Sequence, residues 1–151
     1  MKRWTIICMA GLLLLIGGCG NSLTKSEEVA AEFWEASYFH HDEQKLRSLI
    51  SQDSDIDPNL YSQFAPIKPG KVWITSRQSG SAQDVFMYVS PELKEDSLLK
   101  EIRVIQKNGE WKVEEEKGHD VGHQTFEEFQ KTSQYQTRFG GDREWKEVIM
   151  D

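Results

Sequence analysis

The sequence predicts an α+β fold, in which N-terminal helices pack on an antiparallel sheet of about four strands and a C-terminal extension follows. Three observations carry this. Apolar residues recur at helical spacing as far as Ile50. From Lys71 onward the period changes from 3.6 to 2. Asn108-Gly109, set between two alternating runs, is the strongest short hairpin signal, because a type I′ turn needs positive φ at both central residues. Helical segments followed by a meander of strands, with no internal repeat, give helices gathered on a sheet face.

The elements follow in order. Thr24 or Ser26 can cap a first helix, with Glu27 and Glu28 at the positive end of its dipole. Val29, Ala30, Phe33, Trp34 and Ser37 share one face, and the pattern runs to about Phe39. His40-His41-Asp42 interrupts it, and a second short helix over residues 43–50 offers Leu46, Leu49 and Ile50 to the same core. Residues 51–58 read as an acidic loop. Pro58 suits the first turn of a short helix that turns Tyr61 and Phe64 inward and ends by Pro66, Pro69 and Gly70. Strands then centre on Val72–Ser76, Val85–Val89, Ile102–Ile105 and Trp111–Val113, the last dissolving into Glu114-Glu115-Glu116. A polar connection over residues 91–97 joins the second strand to the third. In the tail, residues 118–151, Thr125 can cap a helix carrying Phe126 and Phe129. Gly140-Gly141 is a breaker, and Trp145, Val148 and Ile149 suggest one more short helix or strand.

The N-terminus carries an address. Lys2 and Arg3 precede an apolar run from Ile6 to Ile16, long enough for a signal-peptide core and too short to span a bilayer. The run ends in Ile16-Gly17-Gly18-Cys19, which resembles the lipobox of bacterial lipoproteins. That resemblance implies cleavage after a signal peptide of residues 1–18, a diacylglyceryl thioether on Cys19 and often acylation of the new amino terminus. Two acyl chains anchor a protein stably without a spanning helix. Residues 19–26 then form a lipidated start and a short tether. The expected location is the extracytoplasmic face of the cell membrane, with the membrane itself as a partner through Cys19.

Composition bounds what the mature chain does. Cleavage leaves 151 less 18, or 133, residues, enough for one domain with a substantial core. Lys2 and Arg3 leave with the signal, so 18 basic residues become 16 against 25 acidic ones, a net charge of −9. That balance argues against nucleic acid and against a polybasic membrane-binding face. Cys8 lies in the signal and Cys19 carries lipid, so no cysteine remains for a disulfide, a nucleophile or a metal site. Trp34, Trp73, Trp111 and Trp145 supply apolar area instead.

The layout over residues 27–117 resembles a second family. A helical pair, here Val29-Ala30-Ala31-Glu32-Phe33-Trp34 and Lys45-Leu46-Arg47-Ser48-Leu49-Ile50, ahead of a sheet closing on Asn108-Gly109-Glu110-Trp111-Lys112-Val113, looks like the nuclear-transport-factor-like fold. The resemblance implies a curved sheet wrapped around a helix, making a cone with a pocket. Members of that family include isomerases and dehydratases, and many non-catalytic binding or assembly modules. Residues 118–151 have no counterpart in it.

Candidate chemistry is sparse. His119 and His123, beside Asp120, have the spacing of two zinc ligands on a helix, but Gly118 and Gly122 disfavour a helix there and no third ligand follows. A solvated loop is the alternative. His40 with Asp42 could be a general base and its orienting partner, or a helix end and the start of the next turn. Asp84 and Arg103 alternate with valines and suit either a pocket or the solvent face. Trp34, Tyr38, Tyr61, Phe64, Trp73, Phe86 and Tyr88 read as core, with a ligand-pocket lining as the alternative. Glu114-Glu115-Glu116 reads as a solvated strand end. No catalytic, cofactor-binding or metal site is assigned. The expected function is a non-enzymatic, membrane-anchored binding or assembly module whose partner is another envelope protein or a small ligand. The alternative is an envelope hydrolase or isomerase using His40/Asp42 or His119/Asp120.

Overall fold

A computed structural model describes residues 22–91, 96–141 and 143–150. The signal segment 1–18, Cys19, the next two residues of the tether and most of the polar connection between the second and third strands lie outside the described residues. Among the described residues no helix is long and apolar enough to cross a membrane. The fold is α+β, with helices preceding an open antiparallel sheet.

Helix α1 (Lys25–Trp34) begins at a capping box. The Thr24 hydroxyl accepts the Glu27 N–H, and the Glu27 carboxylate accepts the Thr24 N–H, satisfying two orphan donors at once. Ala30, Phe33 and Trp34 are fully buried at i, i+3 and i+4. The helix then widens into a π turn (Glu35–Phe39), where the Ser37 hydroxyl donates to the Phe33 carbonyl. That turn re-aims Tyr38, which stacks on Trp34 with ring centroids 5.9 Å apart. His41, at φ 52°, reverses the chain, and Asp42 caps α2 (Glu43–Leu49) by accepting the Lys45 N–H. A 3₁₀ segment (Pro58–Gln63), capped by Asp57, turns Tyr61 inward. Phe64 does not follow it. Its backbone is extended at ψ 153°, so the i, i+3 pairing ends and the ring is 56% exposed.

Close to the four or so strands expected, the sheet has five among the described residues: β1 (Pro69–Ser79), β2 (Ala82–Pro91), β3 (Leu98–Lys107), β4 (Glu110–Asp120) and β5 (Lys146–Val148). Their spatial order is β4-β3-β2-β1-β5, every pair antiparallel. Asn108 and Gly109, both at positive φ, turn β3 into β4. β4 does not dissolve at Glu114-Glu115-Glu116. Val113 lies opposite Val104 and Glu115 opposite Arg103, so Glu114 is an extra, bulged residue, and pairing continues to Asp120 against Leu98. β3 is long enough to offer partners that far, so the strand crosses the boundary expected at residue 117.

One sheet face packs under the N-terminal helices: Val72, Ile74, Val85, Met87, Val89, Ile102, Val104 and Val113 meet Phe33, Trp34, Leu46 and Leu49. The other face is also covered. Helices α3 (Phe126–Gln130) and α4 (Ser133–Phe139) lay Phe126, Phe129, Tyr135 and Phe139 on Phe86, Tyr88 and Leu99, with Trp73 and Trp145 at the margin. Trp73 stacks on Phe126 at 4.6 Å and Tyr88 on Phe129 at 4.9 Å. The tail is therefore the third layer of the fold, and its last strand extends the sheet beside β1.

Glu27 joins these layers. Its carboxylate, 3% exposed, meets Lys146 Nζ of β5 at 2.6 Å and accepts from the Ser76 hydroxyl of β1 at 2.8 Å. Burial raises its pKa, but the bonds from Lys146, the Thr24 N–H and Ser76 outweigh burial, and the group sits below the ordinary carboxylate value of 4.5. Its stabilisation is therefore complete above that ordinary value and is lost as pH falls through the lowered one. Glu27→Gln is expected to cost roughly 2 kcal/mol at neutral pH. Denaturation curves of the two proteins should converge as the buffer is taken below the lowered pKa.

Candidate functional site

The 3₁₀ segment, the loop before it and the bulged part of β4 enclose a groove of about 590 Å³. Its floor is polar. Glu116 projects from β4 onto the face under the N-terminal helices, opposite Ile102, with its side chain 8% exposed. Tyr38 O–H donates to Glu116 Oε1 at 2.6 Å, and Tyr61 O–H donates to Oε2 at 2.6 Å. Lys100 Nζ, from β3, lies 2.8 Å from Oε1, donates to the Tyr38 oxygen at 2.7 Å and sits 4.3 Å from the Tyr38 ring centroid. The two rings meet edge to face at 5.2 Å. Burial and then the negative charge of Glu116 push both phenols far above their usual pKa. Both tyrosines therefore stay protonated donors, and the carboxylate they hold is matched by an ammonium.

The rim is acidic and partly apolar. Asp53, Asp55, Asp57, Glu114 and Glu115 line it with Ile56, Leu60 and Phe64. Asp53 pairs with Lys107, Glu115 with Lys117, and Asp57 caps the 3₁₀ segment. Asp55 and Glu114 make no ion pair among the described residues. Leu60 and Phe64 are 50% and 56% exposed, a local concentration of wet apolar surface on an otherwise charged molecule.

The residues singled out from sequence fall elsewhere. His40 and His41 lie at the end of the π turn, and Asp42 Oδ1 is engaged as the α2 cap. His119 is not in a loop. It stands half-buried on β4, 3.2 Å from Glu101 Oε2 and 2.9 Å from Arg138 Nη1 of α4. Asp120, its neighbour on the strand, points to the opposite face and accepts the Gly122 N–H. His123 is exposed before α3. None of the four histidines lines the groove. Asp84 and Arg103 pair with each other at 3.1 Å across β2 and β3, and Arg77 flanks Asp84 at 3.5 Å. They line a separate cleft of about 210 Å³. Among the described residues no group of three or more His, Cys, Asp or Glu converges as metal ligands. Of the seven aromatics, Tyr38, Tyr61 and Phe64 line the groove. Trp34 is core beneath the helices, and Trp73, Phe86 and Tyr88 serve the opposite layer.

Compared with known proteins, the chain matches no family model, no curated protein and no solved structure. The likeness to the nuclear-transport-factor-like fold rests on the residues quoted above.

Proposed function

We propose that the chain is a membrane-anchored, extracytoplasmic lipoprotein that acts as a non-enzymatic binding or assembly module, with the acidic groove as its binding face. One observation carries this reading: the polar groups that converge on the groove floor are spent on one another. Both Glu116 oxygens are engaged, and burial beside that carboxylate pushes the two phenols far above their usual pKa, so neither hydroxyl is poised to give up its proton to a substrate. The rim, by contrast, offers unpaired carboxylates and exposed apolar side chains, the mixture that receives a partner. A photo-crosslinking amino acid at Phe64 tests it in intact cells. A discrete adduct is expected from position 64, and none from Gln134 on the opposite layer. Equal labelling from both positions would contradict the groove as the binding face.

A second reading, an envelope hydrolase or isomerase, has one observation in its favour, since four titratable groups do converge in the groove. They are Glu116, Lys100, Tyr38 and Tyr61 and not the His/Asp pairs expected from sequence. Tyr61→Phe separates the readings. As a module the variant keeps its Phe64 crosslink and its cellular function, whereas an enzyme that uses the hydroxyl loses function with the fold intact.

A further inference from the structure

The start of the domain is held at one edge of the sheet. Ser22 gives its carbonyl to Lys146 Nζ of β5 at 3.2 Å, and Leu23 packs on the core beneath the helices. Two residues further, the Thr24 cap and Glu27 tie α1 to β1 and β5. Cys19 precedes Ser22 by three residues, so at most about 11 Å of extended chain separates its lipid from this edge. The groove lies at the other end. α1 and the π turn carry the chain roughly 20 Å from that edge to Tyr38. Independently, β5 and β4 are opposite edges of the sheet, four strand spacings or about 19 Å apart.

Exposed apolar residues and unpaired charge divide along the same axis. Leu60 and Phe64 stand at the groove, while Ile149, 85% exposed, stands one residue beyond β5. At the β5 edge three carboxylates among the described residues are matched: Lys25 pairs with Glu28, Lys71 with Glu147, and Lys146 with Glu27. At the groove, Asp55 and Glu114 make no ion pair among the described residues. An anionic lipid surface repels the second pole and tolerates the first.

We infer that the β5 edge is the surface turned to the bilayer, with Ile149 resting in the headgroup region, and that the groove opens on the far side, toward the aqueous envelope. This orientation rests on the lipid-anchor reading. It makes the groove a site for a partner that approaches from solution and not for a lipid headgroup of the same membrane.

The test uses full-length protein, processed in cells and reconstituted in phosphatidylcholine–phosphatidylglycerol vesicles with brominated acyl chains. An environment-sensitive fluorophore is placed by Ile149→Cys or Phe64→Cys, both exposed sites, the Cys19 sulfur being blocked by its lipid. Quenching of at least twofold is expected at position 149 and none at position 64. Flotation with the vesicles but quenching at 64, or at neither site, would overturn the orientation while leaving the anchor intact. A protein that does not float and whose mass shows an unmodified Cys19 would remove the anchor and the orientation together.

Discussion

Lys100→Ala is expected to destabilise the protein by about 3–5 kcal/mol, the cost of leaving a buried carboxylate without its counter-charge. Lys100 and Glu116 are 13% and 8% exposed at their side chains, and the two tyrosine hydroxyls supply hydrogen bonds but no positive charge. The reverse variant, Glu116→Gln, strands the ammonium and loses the charge-assisted bonds from Tyr38 and Tyr61. The two losses should not add. With both partners replaced, as in Lys100→Met with Glu116→Gln, no charge remains to be desolvated, the amide oxygen still accepts from a tyrosine hydroxyl and much of the stability returns. Urea denaturation of the parent, Lys100→Met, Glu116→Gln and the double variant at neutral pH closes this cycle. A double variant as unstable as the sum of the singles would mean that the pair stabilises through contacts other than its charges.

The second large effect lies on the other face. Phe129 is fully buried, stacked on Tyr88 and edge-on to Tyr135 at 5.4 Å and Phe139 at 6.3 Å. Phe129→Ala is expected to cost about 3–5 kcal/mol, the lost burial plus the cavity left among rings held by α3, α4 and β2. Deleting residues 121–151 goes further, since it uncovers Phe86, Tyr88 and Leu99 and removes β5 from the edge of β1. The truncated chain should lose cooperative thermal unfolding. A truncation that still melts sharply near the parent temperature would make the tail an appendage.

Much of the architecture is legible because its signals are local. The capping box at Thr24, Pro58 at a helix start and the Asn108-Gly109 turn each specify a backbone geometry without help from tertiary contacts. Counted by twos from Trp111 and Val113, β4 points Glu115 at the helices. The bulge at Glu114 shifts the count by one, so Glu116 goes inward and Glu115 goes to the other face. A one-residue register change is invisible in composition, and it decides which carboxylate meets Tyr38 and Tyr61. The π turn hides a second step, since its wider winding sets where Tyr38 points. The tail shows the complementary case. Thr125, Phe126 and Phe129 announce a helix, but that its rings cover Phe86 and Tyr88 follows only from the sheet having two apolar faces. Val85, Met87 and Val89 alternate with Phe86 and Tyr88, an apolar run that a strand covered on both sides requires, but the alternation does not say what covers the second face.

The proposed function depends first on the anchor, and intact mass of the protein extracted from membranes with detergent examines it most directly. The account predicts a chain that begins at Cys19 and carries the added mass of a diacylglyceryl group, with Cys19→Ala giving an uncleaved or soluble product. A membrane-extracted protein of full length, or one beginning at Cys19 with its thiol free, would contradict it.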